Sequence, residues 1–212
     1  MGVDQVTFGP NPEVETLIAR ARQGDADALG RLLESFRNYL RILADIEIGR
    51  RLQRKVDASD IVQEAFLDAH RQFPKFQGDL EPQFAEWLRI ILAGKLANTM
   101  RHYFGSKGRD VRLECEISRT LNQSSCLLSE LAVDSLSTPS HEFLRGEQTM
   151  IVTDALTQLP EDYRQVLLMR HMEELPFIQI AQRMNRSVNS VEKLWLRGLT
   201  QLKHICIGGD EP

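Results

Sequence analysis

The chain has 212 residues, 42% of them hydrophobic, 26% charged and 7% aromatic, with a formal net charge of −4. At about 150 residues per domain this is one medium domain or two small ones, able to bury roughly 70% of its unfolded surface without a disulfide or metal staple. The composition excludes global disorder, and no run approaches the roughly 18 apolar residues that a membrane span needs, so no membrane insertion is expected. The opening MGVDQVTFGPNPEV pairs no basic stretch with an apolar one, which predicts no signal peptide and a cytoplasmic address.

Helical periodicity runs through nearly the whole chain and predicts an all-α fold. Val14, Leu17, Ile18 and Ala21 recur at i, i+3, i+4, i+7, and after a break at Gly24-Asp25 the sequence Leu29, Leu32, Leu33, Phe36, Leu40 repeats the pattern. The clearest helix spans 57–73, where Ala58, Ile61, Val62, Ala65, Phe66, Ala69 and Phe73 share one arc and Asp57, Asp60, Glu64 and Asp68 the opposite one. Pro74, Gly78 and Pro82 punctuate a loop. FAEWLRIILAGKLANTMRHYF then reads as a long helix whose apolar stripe is less cleanly confined, ended by Gly105-Ser106-Lys107-Gly108.

Between 113 and 146 the composition shifts to seven serines with Arg119 and Arg145 as the basic residues, which reads as a flexible linker. VRLECEI at 111–117 alternates as a strand would. One short strand without a partner is unstable, so an extended tether is the expectation there. Helical patterning resumes at Glu147 and continues to about His204. The predicted layout is two small helical domains, 11–112 and 147–206, joined by a linker over 113–146.

Three patches could carry function. In FIQIAQRMNRSVNSVEKLWLR, Ala181 is small where two helices would touch, and Asn185, four positions on, tolerates the left-handed turn of a helix-turn-helix. Ile180, Met184, Val188, Val191 and Leu194 would face the core. Ser187 or Asn189 would cap the second helix, whose outward face would present Arg186, Ser187, Asn189, Ser190, Glu192, Lys193 and Arg197 to DNA. Two bundled amphipathic helices share this spacing, and Glu192 is awkward near phosphates unless it accepts from a cytosine amine or pairs with a neighbour.

The second patch is basic. Arg89, Lys95, Arg101, Lys107, Arg109 and Arg112 interleave with Trp87, His102, Tyr103 and Phe104, a composition suited to single-stranded DNA, with cations on phosphates and rings on bases. Trp87 and Phe84 at helical spacing equally suit a core. The third patch, Asp60, Glu64 and Asp68 with Gln63 and Leu67 beside them, puts like charges at i, i+4. A basic partner surface would compensate that repulsion, and plain solvation is the alternative. No phosphate-cradling glycine loop, GxSxG or HExxH completes an enzyme site. Cys115, Cys126 and Cys206 form no CxxC, and the five histidines are scattered, so neither metal nor cofactor is expected.

DIVQEAFLDAHRQFPKF, FAEWLRIILAGKLANTMRH and LPEDYRQVLLMRHMEELPFIQIAQRMNRSVNSVEKLWLRGLTQL, in that order and spacing, resemble the extracytoplasmic-function class of bacterial sigma factors over most of 13–205. The resemblance implies a promoter-specificity subunit with core RNA polymerase and promoter DNA as partners, and it leaves an anti-sigma factor open as a third. By position it implies that Asp60, Gln63 and Glu64 contact the polymerase clamp, that Trp87 to Arg112 open the minus-ten element, and that Arg186 to Arg197 read the minus-thirty-five element. The sequence departs from the family at Gly94, where Asn is frequent, at Asn98, where Asp is, and in its sparser basic run RHYFGSKGRDVR. The rival class is a stand-alone helix-turn-helix regulator; an α-helical enzyme built on the carboxylates is a third.

Overall fold

The computed structural model describes residues 12–51, 56–104, 111–135 and 145–207, and all of its regular secondary structure is helical. The chain divides into two compact units, 1–126 and 127–212.

In the first unit, α1 (Pro12–Arg22) and α2 (Ala26–Ser35) form a hairpin through Gly24, whose φ of 91° is open to glycine at no steric cost. Asp25 caps α2 by accepting the Ala28 N–H at 3.0 Å, and Arg20 of α1 donates to the same carboxylate. The Ala28 hydrogen bond first, and Arg20 after it, hold the Asp25 carboxyl below its ordinary pKa. Val14, Leu17, Ile18 and Ala21 are buried against Leu29, Leu32 and Leu33, as the periodicity requires. The repeat from Leu29 to Leu40 is two helices rather than one. Phe36 ends α2 with a tight turn, its N–H reaching Leu33 O at 3.1 Å, and α3 (Arg37–Arg51) starts afresh.

Helix α4 (Ala58–Gln72) is capped by Asp57, which accepts the Ser59 N–H at 2.8 Å, and a 3-10 turn at Phe73–Lys75 follows. Helix α5 (Glu81–Phe104) is buried over a wide arc: Phe84, Ala85, Leu88, Leu92, Ala93, Leu96, Ala97 and Met100 are each at most 2% exposed, while Gln83, Glu86, Ile90 and Asn98 are exposed. That explains the poorly confined stripe, since a wide buried arc leaves only a narrow exposed side, and that side carries the apolar Ile90. Phe73, Phe76, Phe84 and Trp87 form one aromatic cluster, with Phe76 and Trp87 centroids 4.9 Å apart. Gly78 lies against it, because a Cβ there would come within 2.5 Å of the Phe76 ring.

The segment expected to be linker is mostly helix. α6 runs Val111–Ser135, so VRLECEI is its first two turns and not an extended tether. Ile117, Leu121, Leu128, Leu131 and Ala132 give it a buried stripe, and Ser124, Ser125 and Ser129 sit inside on the same side. Those serines disguised the helix in the composition; their hydroxyls find partners there, as in the Ser125 Oγ to Tyr39 hydroxyl bond of 2.8 Å. The boundary between the units falls within α6, and 136–144 lie outside the described residues.

The second unit holds the C-terminal part of α6 with α7 (Arg145–Gln158), α8 (Glu161–His171), α9 (Phe177–Met184) and α10 (Val188–Ile207). Ser129 and Thr149 share a buried hydroxyl bond of 2.9 Å. α9 and α10 make the helix-turn-helix: Ala181 is buried and Asn185 takes φ 52°, ψ 46°. Ile180 and Val191 are buried and Met184 and Leu194 half-buried, while Val188, expected inside, is 38% exposed because it sits in the first turn beyond the core. Gly198 lets α10 cross α8 closely, since a Cβ there would lie 3.3 Å from Tyr163 Cβ. Trp195 stacks beside His171, donating its indole N–H to Nε2 at 3.2 Å, and meets Phe177 edge-on.

Asn185 provides a direct check on the turn. Asn185→Gly should leave the thermal unfolding of the second unit close to wild type, whereas Asn185→Val should lower its stability by about 1–2 kcal/mol, the penalty for a branched residue in left-handed backbone.

Candidate polymerase and nucleic-acid interfaces

Helix α4 buries Ala58, Ile61, Val62, Ala65, Phe66 and Ala69, which turns Asp60, Gln63 and Glu64 to solvent with Leu67, 54% exposed. Asp68 differs from them. Lys95 of α5 reaches it at 2.7 Å and lies 3.9 Å from Glu64, so part of the like-charge repulsion along the stripe is offset inside the chain. Lys95, expected among the DNA contacts, is only 18% exposed and already engaged.

Other members of the basic patch are also turned inward. Arg89 is 8% exposed; its Nη1 donates to the Tyr39 hydroxyl at 2.8 Å and its Nε to Asn122 Oδ1 at 2.7 Å. It is a buried bolt between α5, α3 and α6, not a surface cation. Arg101, with 13% of its side chain exposed, bonds Asn98 and the Ala97 carbonyl and lies 3.8 Å from Glu114 of α6. A cleft of about 500 Å³ opens here among α4, α5 and α6, with Lys95–Asp68 and Arg101–Glu114 on its walls and Gly94 leaving open space on its floor. His102 and Tyr103 in the last turn of α5 are exposed, as is Arg112 in the first turn of α6; Lys107 and Arg109 lie outside the described residues. Trp87 belongs to the aromatic cluster rather than to this surface.

Sequence reading missed an internal ionic cluster. Glu47, 1% exposed, is held by Arg51, which also donates to Glu116 of α6 at 2.9 Å, and Thr120 donates to Glu47 at 3.1 Å. Burial works against the Arg51 cation, but Glu116 and Glu47 outweigh it and raise its pKa. The signal available was a Glu-Arg pair at i, i+4, Glu47 and Arg51, with Glu47 set between Ile46 and Ile48.

In the second unit Ser187 caps α10, its Oγ accepting the Ser190 N–H at 3.3 Å. Asn189, Glu192, Lys193 and Arg197 are exposed on α10 and Ser190 is half-buried. Arg186, also exposed, is braced by Asp162 of α8 at 2.6 Å. Helix α10 therefore presents polar residues along its N-terminal half, while Val191, Gly198 and Leu202 along its length fix the helix to the core. That is the geometry in which a helix can enter a major groove without moving its support.

The family comparisons fall on the two units in turn. The sigma-70 region 2 family matches residues 35–106 and the sigma-70 region 4 family matches residues 149–202. The ECF RNA polymerase sigma-E factor of Haemophilus influenzae is 28% identical over 190 residues, covering 90% of this chain and 93% of its own. The ECF RNA polymerase sigma factor SigW of Bacillus subtilis is 25% identical, covering 90% and 95%. The chain belongs to the extracytoplasmic-function sigma factors. A solved chain of the RsbN-BldN complex covers 89% of it at 19% identity, with a TM-score of 0.32. As a sigma factor the protein binds core RNA polymerase and directs it to promoters, where transcription begins. Sigma factors are not enzymes. No described helix is long and apolar enough to cross a membrane, and among the described residues no group of three His, Cys, Asp or Glu side chains could hold a metal ion.

The interior place of Arg89 has a measurable consequence. Tyr39→Phe takes from Arg89 the acceptor of one buried guanidinium N–H, and leaving a buried donor without its partner costs about 1–3 kcal/mol. Urea denaturation should show that loss. Arg89→Lys should not spare the fold, since an ammonium cannot span both acceptors as the guanidinium fork does.

Proposed function

We propose that this sigma factor divides its work between its two units. The first docks polymerase through α4 and holds the opened minus-ten strand at the end of α5, and the second reads the closed minus-thirty-five duplex with α10. The observation that carries the docking assignment is the α4 surface: Leu67 is 54% exposed, and Asp60, Gln63 and Glu64 are exposed around it on the face opposite the buried arc. An acidic rim around an apolar centre suits a basic partner surface, with complementary charge setting the approach and the leucine supplying buried area.

For the opened strand the reading favours His102, Tyr103 and Arg112, with Lys107 and Arg109 by their place in the sequence, and it gives Arg89, Lys95 and Arg101 supporting positions behind that surface. Opening duplex costs about 1.4 kcal/mol per base step, and an aromatic platform returns about 1–3 kcal/mol per stacked base, so Tyr103 is the residue on which melting should depend most. On α10, Arg186 and Lys193 suit phosphate, Arg197 lies further along the same helix, and Asn189, Ser190 and Glu192 suit base edges, with Ser187 fixing the helix start. An anti-sigma factor, to inhibit, would have to cover one of these surfaces.

Glu64→Lys reverses charge at a solvent-exposed position and should fold normally while losing capture of core polymerase at moderate salt. A folded variant that captures polymerase as wild type does would remove α4 from the interface. Abortive transcription on matched templates separates the two DNA surfaces: Tyr103→Ala should regain much of its activity on a premelted minus-ten region, whereas Asn189→Ala should not. Equal rescue of both would show the division of labour to be misassigned.

A further inference from the structure

Several of the charges that lead up to α10 have partners inside the chain. Glu173 holds Arg183 at 2.6 Å, Asp162 holds Arg186 at 2.6 Å, and Glu161 holds Arg164. On α10 itself Glu192, Lys193 and Arg197 have no ion-pair partner among the described residues, and Glu192 is the one carboxylate of that helix. Glu192 stands in the second turn of α10, exposed. The sequence also denies it a helical partner, because the positions one turn away on either side are Val188, Asn189, Trp195 and Leu196, none of them a cation.

An unpaired carboxylate on a helix that approaches duplex DNA is repelled by every phosphate it nears, so a purely phosphate-tracking surface would be better without it. What the major groove offers a carboxylate is an amine on a base edge. Adenine and cytosine each present one. The adenine amine stands beside N7, a lone-pair acceptor that repels a second acceptor, whereas the cytosine amine stands beside a C–H edge. Leu196, one turn further along and 61% exposed, places an aliphatic group next to Glu192, as the edge of a pyrimidine ring would favour.

We infer that Glu192 is a specificity-determining residue that selects a cytosine in the duplex read by α10. The inference rests on the assignment of α10 to the minus-thirty-five element. The carboxylate accepts from the cytosine N4 amine at one position of the site and disfavours the other three bases there. Its repulsion from phosphates lowers affinity for every sequence, and the single base contact restores affinity for the right one.

The test uses the full-length protein with core RNA polymerase and a library of duplexes randomised across the minus-thirty-five element, with bound sequences counted before strand opening. Wild type should enrich a cytosine at one position. Glu192→Ala should lose about tenfold of that preference, at that position alone, while binding other sequences more tightly. Glu192→Gln should shift the same position toward adenine, whose N6 and N7 a carboxamide can engage together. If Glu192→Ala tightens binding uniformly and leaves the sequence preferences unchanged, the residue is only a repulsive charge and the inference is overturned. Asn189→Ala and Lys193→Ala separate the two levels of failure. If they alter preference or affinity and Glu192→Ala leaves preference alone, the cytosine assignment falls by itself; if none of the three changes binding, the assignment of α10 falls with it.

Discussion

One buried cation organises the first unit. Arg89 sits within the helix packing with its guanidinium donating to two neutral oxygens, the Tyr39 hydroxyl and the Asn122 amide, and Tyr39 passes its own proton on to Ser125. Three helices meet in that chain of bonds: α3 gives Tyr39, α5 gives Arg89 and α6 gives Asn122 and Ser125. A buried polar network stabilises only when its members are satisfied together, so it fixes one register of α6 against α3 and α5 where apolar contact alone would allow several. The Glu47, Arg51 and Glu116 cluster repeats that device elsewhere on the same helix pair. Part of the polar surface of the first half of α6 is thus used to dock the helix, while Arg112, Arg119 and Gln123 meet solvent.

This internal use of charge determines what remains outside. Lys95, Arg89 and Arg101 are committed to carboxylates, amides and hydroxyls of their own unit, so the cations counted in the sequence overstate the positive potential at the surface. Meanwhile α4 keeps Asp60 and Glu64 outward, and the net charge of the chain is −4. A protein of this kind has little long-range attraction for DNA, and its contacts must come from short-range chemistry once another body has brought it there. For a subunit that should act at promoters only as part of polymerase, low intrinsic affinity suppresses idle binding elsewhere.

Helix α4 was legible because six buried residues follow one period and, Leu67 apart, its far side is polar and mostly acidic. The turn of the helix-turn-helix was legible because left-handed backbone admits few residues and Asn185 is one of them. Helix α6 was not, since serine is read as linker by composition although a hydroxyl buries well once a partner such as Tyr39 or Thr149 is opposite it. The misplacement of Arg89, Lys95 and Arg101 has a related cause: a helix packed over a wide arc sends its cations into neighbours, and the sequence does not say which neighbours supply oxygens. Residues whose role depends on their own element could be read, and those whose role depends on a distant segment could not.

The two tryptophans of the chain are divided between the units, and each has a distinct setting. Trp87 lies among Phe73, Phe76 and Phe84, an apolar setting that shifts indole emission toward the blue, while Trp195 shares its N–H with an imidazole. Replacing either one by phenylalanine would leave a chain with a single intrinsic fluorophore. The molecule thus carries its own pair of optical labels, through which the melting of each half can be watched without attaching a dye.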